Sequence, residues 1–493
     1  MLRLLGSQKR LCDGVTRRDL LWAGGLSLFG LTLADTLRAA PLLPTSSTDS
    51  HFGRAKSCIL LFLYGSPSQL EFADPKPNAP VEIRGELGSI SSSLPGCGVC
   101  ELLPHTAKVM HNVTVARSLT HTLPNHGVAY ATTGIPIIDP TMELNPTDSR
   151  HWPYIGSVVQ YLEKQKQAKS DVPTNVALPF PFSSQRSGEV HRAGPYAAYL
   201  GSEFHPQYAS FRGQANRKIT KKLREDTIEF DEPYVGIDAN AHFTLGDATT
   251  FPVDVTADRL NRRKSLLEQL ESAHALRDRY PTNDPLREAA YKMIGSNKVR
   301  QALDVRLESP RLRDSYGQSL FGQSCLAARR LVEAGSKFVT VFWDEFGLAG
   351  SGWDTHWQHY PRLRNELMPG FDRGYAGLIR DLDERGLLDE TLVVVLSEHG
   401  RTPKISTGDG GGRDHWAQAY TALFAGGGIA RGKVVGKTDS IGGTVVDTPI
   451  SPKDVLATVY HLLGYDSHTM LTDRQGRPHP ILTEGCVVRE LLD

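Results

Sequence analysis

Between residues 354 and 415 an acid and an imidazole stand side by side, or one residue apart, three times: Asp354 with His356, Glu398 with His399, and Asp414 with His415. Carboxylate oxygen mixed with imidazole nitrogen suits zinc, manganese or iron, whereas calcium takes oxygen ligands. Each pair alone has a plainer reading as a strand-end cap or a surface ion pair, such as Glu398 with Arg401. Three pairs in one stretch are what an ion held between several loops requires, and such mixed sets serve one- or two-metal hydrolysis. The expected ligands are therefore Asp354, His356, Glu398, His399, Asp414 and His415, around one or two divalent transition ions, zinc or manganese. A further segment, Ser118-Leu119-Thr120-His121-Thr122-Leu123-Pro124-Asn125-His126, precedes small apolar residues at helical spacing that run to Thr133-Gly134. At a helix N-terminus Thr122 would lie where backbone N–H groups favour an anion, and a nearby ion would promote loss of its proton, making it a nucleophile. Asn125 would then donate to a phosphoryl or sulfuryl oxygen, with His121, His126 and Arg401 binding substrate. The competing reading makes Thr122 an N-cap and His126 a packing residue.

Such loops need a scaffold. Continuous apolar runs at 58–64, 338–343, 392–396 and 420–425, several ending at glycine or polar residues, have the pattern of strands buried on both faces of a parallel sheet. An amphipathic pattern from Leu363 to Arg385, with Gly386 placed as its C-terminal cap, lies between two of them. Strand, helix, strand implies a parallel α/β sheet with helices on its faces. In such sheets ligands gather at the carboxyl ends of the strands, where the acid–histidine pairs fall. Residues 255–315 differ, with dense alternating charge and leucines at helical spacing, and read as a helical insertion.

At 493 residues the chain accommodates one large α/β domain with insertions. Lysine plus arginine balances aspartate plus glutamate at 55 each, so no one-signed field marks a nucleic-acid partner. The long apolar stretch lies near the start: Thr16-Arg17-Arg18-Asp19-Leu20-Leu21 leads into apolar and small residues and then Ala39-Ala40-Pro41. Residues 1–40 read as a twin-arginine signal peptide, which implies the twin-arginine export machinery as a partner, a periplasmic or secreted destination and no membrane span after processing. An uncleaved anchor or an ordinary helix is the alternative. Residues 41–56, rich in serine, threonine and proline, read as a linker, leaving 57–493 as the folded domain. Cys97-Gly98-Val99-Cys100 is the one close cysteine pair and has no second C-x-x-C to complete a zinc site, so a disulfide or free thiols is expected.

Thr122 to His126 with Thr133-Gly134 resembles the threonine-nucleophile segment of nucleotide pyrophosphatase/phosphodiesterases, and Ser397-Glu398-His399-Gly400 resembles their Ser-Asp-His-Gly metal motif. Asp354 and His356 look like the earlier aspartate–histidine pair of that group, and His415 like its late metal-binding histidine. The wider set Asp74-Pro75-Lys76-Pro77, Ile83-Arg84-Gly85-Glu86, Trp353-Asp354-Thr355-His356, Gly400-Arg401-Thr402-Pro403 and Gly426-Gly427-Gly428 is similar to exported sulfatase-like proteins of domain of unknown function family 1501, in the alkaline phosphatase/sulfatase superfamily. That resemblance implies a three-layer α/β/α sandwich with a mainly parallel central sheet. It also implies an exported metal-dependent hydrolase of phosphate or sulfate esters, acting on a small-molecule or polysaccharide substrate. Two departures stand out. Tyr64-Gly65-Ser66 follows the first strand where the superfamily usually has a metal-binding aspartate, and the Cys-or-Ser-x-Pro-x-Arg segment of typical sulfatases is missing. The other reading is accordingly a non-catalytic envelope protein that binds an anion or polysaccharide on the same fold.

Overall fold

The computed structural model describes residues 50–493 except 124–125, 137–141, 143–144, 147, 149, 167–170, 183–193, 224–225, 246–296, 347–351, 474 and 493. The expected signal peptide, most of the expected linker and most of the 255–315 insertion lie outside the described residues. Of the insertion, two short helices are described, Asn297–Leu303 and Pro310–Tyr316. The last residues of the expected linker already bind the folded body: Gly53, Ala55 and Lys56 donate their backbone N–H groups to the carbonyls of His461, Leu462 and Glu390 at 3.0, 2.9 and 2.8 Å.

The four apolar runs are strands of one eight-stranded sheet. In chain order its members are β1 (Ser57–Leu63), β2 (Val113–Leu119), β3 (Asn175–Leu178), β4 (Gln207–Tyr208), β5 (Phe338–Trp343), β6 (Thr391–Leu396), β7 (Tyr420–Ala425) and β8 (Lys433–Val435). In space they run β8-β2-β7-β6-β1-β5-β3-β4. β1 pairs in parallel with β5 and β6, β5 with β3, β3 with β4, and β8 with β2. β7 is antiparallel to both its neighbours, β6 and β2. This corrects the expectation that Tyr420–Ala425 is another parallel strand. A parallel return needs a crossover that carries the chain back along the sheet, usually a helix. Residues 397–419 contain only a two-residue ribbon, Gly400–Arg401 against His415–Trp416, so the chain turns and comes straight back.

Alternation along the strands divides the core. Ile59, Leu61 and Leu63 of β1 face one layer with α3 (Leu320–Ala334) and α4 (Met368–Glu384), while Cys58, Leu60 and Phe62 face the other with α1 (Val128–Thr133), α2 (Ile155–Gln165) and α5 (Pro452–Leu462). The result is the three-layer α/β/α sandwich. Sequence signals set the helix ends. Ser319 caps α3, and Ser451 with Asp454 forms a capping box ahead of Pro452 at the start of α5. Gly386, at φ 68°, follows α4, with Gly386 N–H bonded to Asp383 O and Leu387 N–H to Leu382 O, the double closure that a left-handed residue permits. The amphipathic segment is less uniform than expected: it opens as the helical turn His359–Arg362, widens to a π-helical turn at Leu363–Leu367, and becomes regular only in α4. Cys97 and Cys100 are buried free thiols beside a short strand, both with proton affinity raised by burial. Among the described residues no helix is long and apolar enough to cross a membrane.

Candidate metal centre

Because β1, β5, β6 and β2 run the same way, the segments that leave them emerge at one edge of the sheet. β7 runs the other way, so the segment leading into it arrives at that same edge. This places residues 64–66, 120–123, 126–127, 352–356, 397–399 and 413–419 around one site.

The turn after β1 is shaped by close approach. Gly65 has φ 90°, and a Cβ built on it would lie 2.3 Å from Asp354 N and 2.8 Å from Asp354 Cβ. No side chain fits there without displacing Asp354. Gly65 contributes its backbone instead, donating N–H to Glu398 Oε1 at 2.8 Å. Ser66 takes φ 69°, a left-handed conformation that costs a non-glycine residue about 1–2 kcal/mol, and its hydroxyl accepts the N–H of His399 at 3.2 Å. The loop after β5 is anchored by Trp353, fully buried with its ring 5.4 Å from Trp343 and 6.0 Å from Phe371. Arg362, at the head of the helix that follows, donates to the carbonyls of Asp354, at 3.0 Å, and Gly352.

Asp354 is the centre of the cluster. Its Oδ1 lies 3.0 Å from His356 Nε2 and 3.2 Å from His415 Nε2, and Oδ2 lies 3.6 Å from His126 Nε2. His356 Nε2 and His415 Nε2 are 3.1 Å apart. Two overlapping donor groups result, Asp354-His356-His415 and His126-His399-His415, each with its ligand atoms within 4.8 Å of one another. His126 bridges the carboxylates, with Nδ1 2.9 Å from Glu398 Oε1 and its ring stacked on Tyr64 at 5.1 Å. Among the buried atoms without a hydrogen-bond partner are His399 Nε2 and Glu398 Oε2. His399 Nδ1 is engaged with Gly400 O at 2.8 Å, so the free nitrogen is the one available to a ligand. Unpaired buried polar atoms are costly, and a cation held by His126, His399 and His415 would satisfy His399 Nε2, whereas Glu398, expected as a ligand, belongs to neither donor group. The nitrogen and oxygen donors fit a divalent transition ion.

The electrostatics divide the cluster: Asp354 is held ionised, His126 and His356 are held protonated until an ion displaces their protons, and His399 and His415 are neutral. Burial alone would raise the proton affinity of Asp354, yet His126, His356, His415 and Arg401 hold its carboxyl far below the usual carboxylate range. Burial would lower His126, but Asp354 and Glu398 push it up to about 10. The hydrogen bond to Asp354 raises His356 against its burial. Burial dominates at His399 and His415, keeping both neutral and able to donate a lone pair.

Several expected residues occupy other places. Asp414, expected as a ligand, is largely exposed and accepts from His356 Nδ1 at 2.7 Å, so it orients that histidine from behind. Arg401, expected to meet substrate, is wholly buried behind the histidines, with its guanidinium on Asp354 and on the carbonyls of Gly65, Ser66 and Arg413. His121, likewise expected to bind substrate, uses both ring nitrogens internally: Nε2 donates to Glu398 O at 2.7 Å and Nδ1 accepts from Leu123 N–H at 3.1 Å. His126, also expected to bind substrate, stands within the donor cluster. Thr122 is exposed between these two histidines, and α1 starts only at Val128, so the helix N-terminus expected at Thr122 lies six residues further on. Asn125 lies outside the described residues. Asp74 of the Asp-Pro-Lys-Pro motif is buried on Lys76, Arg117 and Thr438. The sequence marked Gly65 and Ser66 only as a departure after the first strand and did not single out Glu71 or His359; all four brace the site.

The family described as "Protein of unknown function (DUF1501)" matches residues 55–492. Among solved structures the chain is similar to Ps i-CgsB in complex with k-i-k-neocarrahexaose, at 14% identity over 83% of this chain and 72% of that one, with a TM-score of 0.38. It is similar to the PsFucS1 sulfatase from Pseudoalteromonas sp., at 13% identity, 84% and 68% coverage and a TM-score of 0.37. A third is the phosphonate monoester hydrolase SpPMH from Silicibacter pomeroyi, at 13% identity, 88% and 76% coverage and a TM-score of 0.35. No curated protein matches the chain.

Proposed function

Since this chain belongs to the DUF1501 family and gathers carboxylates and histidines at one edge of its sheet, we propose that it is an exported, metal-dependent hydrolase of phosphate or sulfate esters. The observation that carries the reading is the pair of donor groups sharing His415, with the unpartnered His399 Nε2 in one of them. Asp354, His356 and His415 would hold one ion, and His126, His399 and His415 a position for one ion or a second. Zinc or manganese suits those donors, and when bound supplies Lewis acidity that draws charge from phosphoryl or sulfuryl oxygens.

The chain's own groups do the rest. Asp414 and Arg401 fix the orientation of His356 and Asp354, and His121 holds the Glu398 backbone in place. Thr122 is the assigned nucleophile: its exposed hydroxyl sits on the short segment that sends His121 and His126 to Glu398. Its oxygen would attack phosphorus or sulfur as the ester oxygen departs with a proton, leaving a phospho- or sulfo-threonine. Water then splits that ester and restores the hydroxyl. Asn125 is assigned as a donor to the developing charge. The Thr16-Arg17-Arg18 start supports delivery through the twin-arginine machinery to the periplasm or beyond, where a small-molecule or polysaccharide ester is the substrate class.

Chromogenic phosphate and sulfate monoesters and diesters test this on zinc- and manganese-loaded protein. Thr122→Ala should lose orders of magnitude in turnover and keep its metal, whereas His399→Ala should lose both. Undiminished turnover in Thr122→Ala removes that residue from the chemistry. Tight ion binding with no turnover of any ester leaves an anion- or polysaccharide-binding protein.

A further inference from the structure

Charged groups deep inside a protein must be paired, and a carboxylate shared by two partners ties their backbones together. Glu71, in the stretch after β1, is 1% exposed. Its Oε1 accepts from Arg413 Nε at 3.1 Å and from Arg413 Nη2, and its Oε2 faces His359 Nε2 at 3.4 Å. Both partners are themselves fully buried. Arg413 spends its other donors on the carbonyls of Thr402 at 3.0 Å, Ile83 at 2.7 Å and Pro403, and its backbone N–H on Thr355 O at 3.1 Å. His359 Nδ1 is hydrogen bonded to the Thr355 hydroxyl at 2.7 Å, which leaves Nε2 to meet Glu71 as a close electrostatic contact at 3.4 Å without hydrogen-bond alignment.

The chain positions of these partners matter. Arg413 immediately precedes Asp414 and His415, and Thr355 stands between Asp354 and His356. We propose that Glu71 is a positioning carboxylate that clamps the two ligand-bearing loops together, setting the separation of His356 and His415. It acts through Arg413 and through His359 and Thr355. The inference rests on the metal reading above for its consequence, and on the buried contacts for its geometry. A carboxylate that merely stabilised the fold would lower stability when removed without singling out these loops.

The test titrates Zn²⁺ into metal-stripped wild type, Glu71→Gln, Glu71→Asp and, as a control for lost stability, Leu378→Ala in the buried face of α4. Glu71→Gln should bind Zn²⁺ about 10- to 100-fold more weakly, the range for losing a group that orients a ligand. Glu71→Asp should recover part of the loss, and Leu378→Ala should bind as wild type does. Equal affinity in wild type and Glu71→Gln overturns the clamp. Amide hydrogen exchange on the metal-free proteins separates this idea from the metal reading. In Glu71→Gln, residues 353–357 and 413–416 should exchange faster, and in Leu378→Ala they should not. If wild type takes up no Zn²⁺ yet both segments loosen in Glu71→Gln, the metal reading fails and the clamp stands. If both segments exchange as in wild type, the clamp is overturned whatever Zn²⁺ does. Should Glu71→Gln not fold, Glu71→Asp against Leu378→Ala decides by the same two measurements.

Discussion

Asp354 meets three imidazoles and one guanidinium; the sequence grouped His356 and His415 with it as ligands, but not His126 or Arg401. Its neighbours Thr355 and His356 were visible as a motif, but His126 carries no adjacent acid to mark it as a donor. Its carboxylate partner Glu398 is 272 residues away in the chain. Glu71 is quieter still, one acid in an ordinary turn, and its environment makes a prediction about acid stability. Burial would raise its pKa, but Arg413 and His359 hold it at about 2, against 4.5 for an unperturbed glutamate. A carboxyl depressed in the folded state adds stability in full above its unfolded pKa and loses it as pH falls through the folded one. The wild type should therefore shed on the order of 3 kcal/mol between about pH 4.5 and pH 2 from this group. In Glu71→Gln that difference is absent: chemical denaturation should find the variant less stable at neutral pH and the gap narrowing across the same window. A gap that stays constant down to pH 2 would remove Glu71 from the acid response.

At the scale of elements, the strongest hydrophobic runs were readable because they are buried on both faces. β2 and β3 were not, since Val113–Leu119 interleaves Thr114, Arg117 and Ser118 with its apolar residues and Asn175–Leu178 is only four residues long. Strand direction was legible where a helix separates two runs, as between β5 and β6. It was not legible where the intervening loop could either cross over or turn back, as before β7. Turns are the other informative elements, and two glycines with positive φ make opposite predictions. Gly386 closes α4 with nothing within 4 Å of the place a Cβ would take, so Gly386→Ala should cost about 1 kcal/mol and leave ion binding alone. At Gly65 the new methyl group would press into the Asp354 backbone. Gly65→Ala should displace Asp354 and abolish ion binding, by elemental analysis, while far-ultraviolet circular dichroism stays that of the wild type. Retention of the ion in Gly65→Ala would mean that the loop after β5 yields more easily than its Trp353 anchor implies.

For the whole molecule, a ligand bound only by the native state stabilises it. At free Zn²⁺ one hundred times its dissociation constant the gain is about 2.7 kcal/mol, or about 3 °C in midpoint for a domain of this size, reversed by a chelator. Differential scanning calorimetry checks this, and a midpoint indifferent to zinc and manganese would count against the site. The reversed strand β7 carries a consequence in time. The donors come from chain segments as far apart as residues 126 and 415, and they face one another only when β2, β7, β6, β1 and β5 have all taken their places. β1 must find partners near residues 338 and 391 before the sheet can form, and distant pairings of this kind fold slowly. The site is thus among the last things the chain assembles, and the ion cannot seed the fold. Zn²⁺ added during refolding should leave the folding rate unchanged and slow unfolding instead, because its contacts are missing from the transition state. The ion then acts as a latch on a finished molecule, prolonging the life of the native state without hastening its arrival.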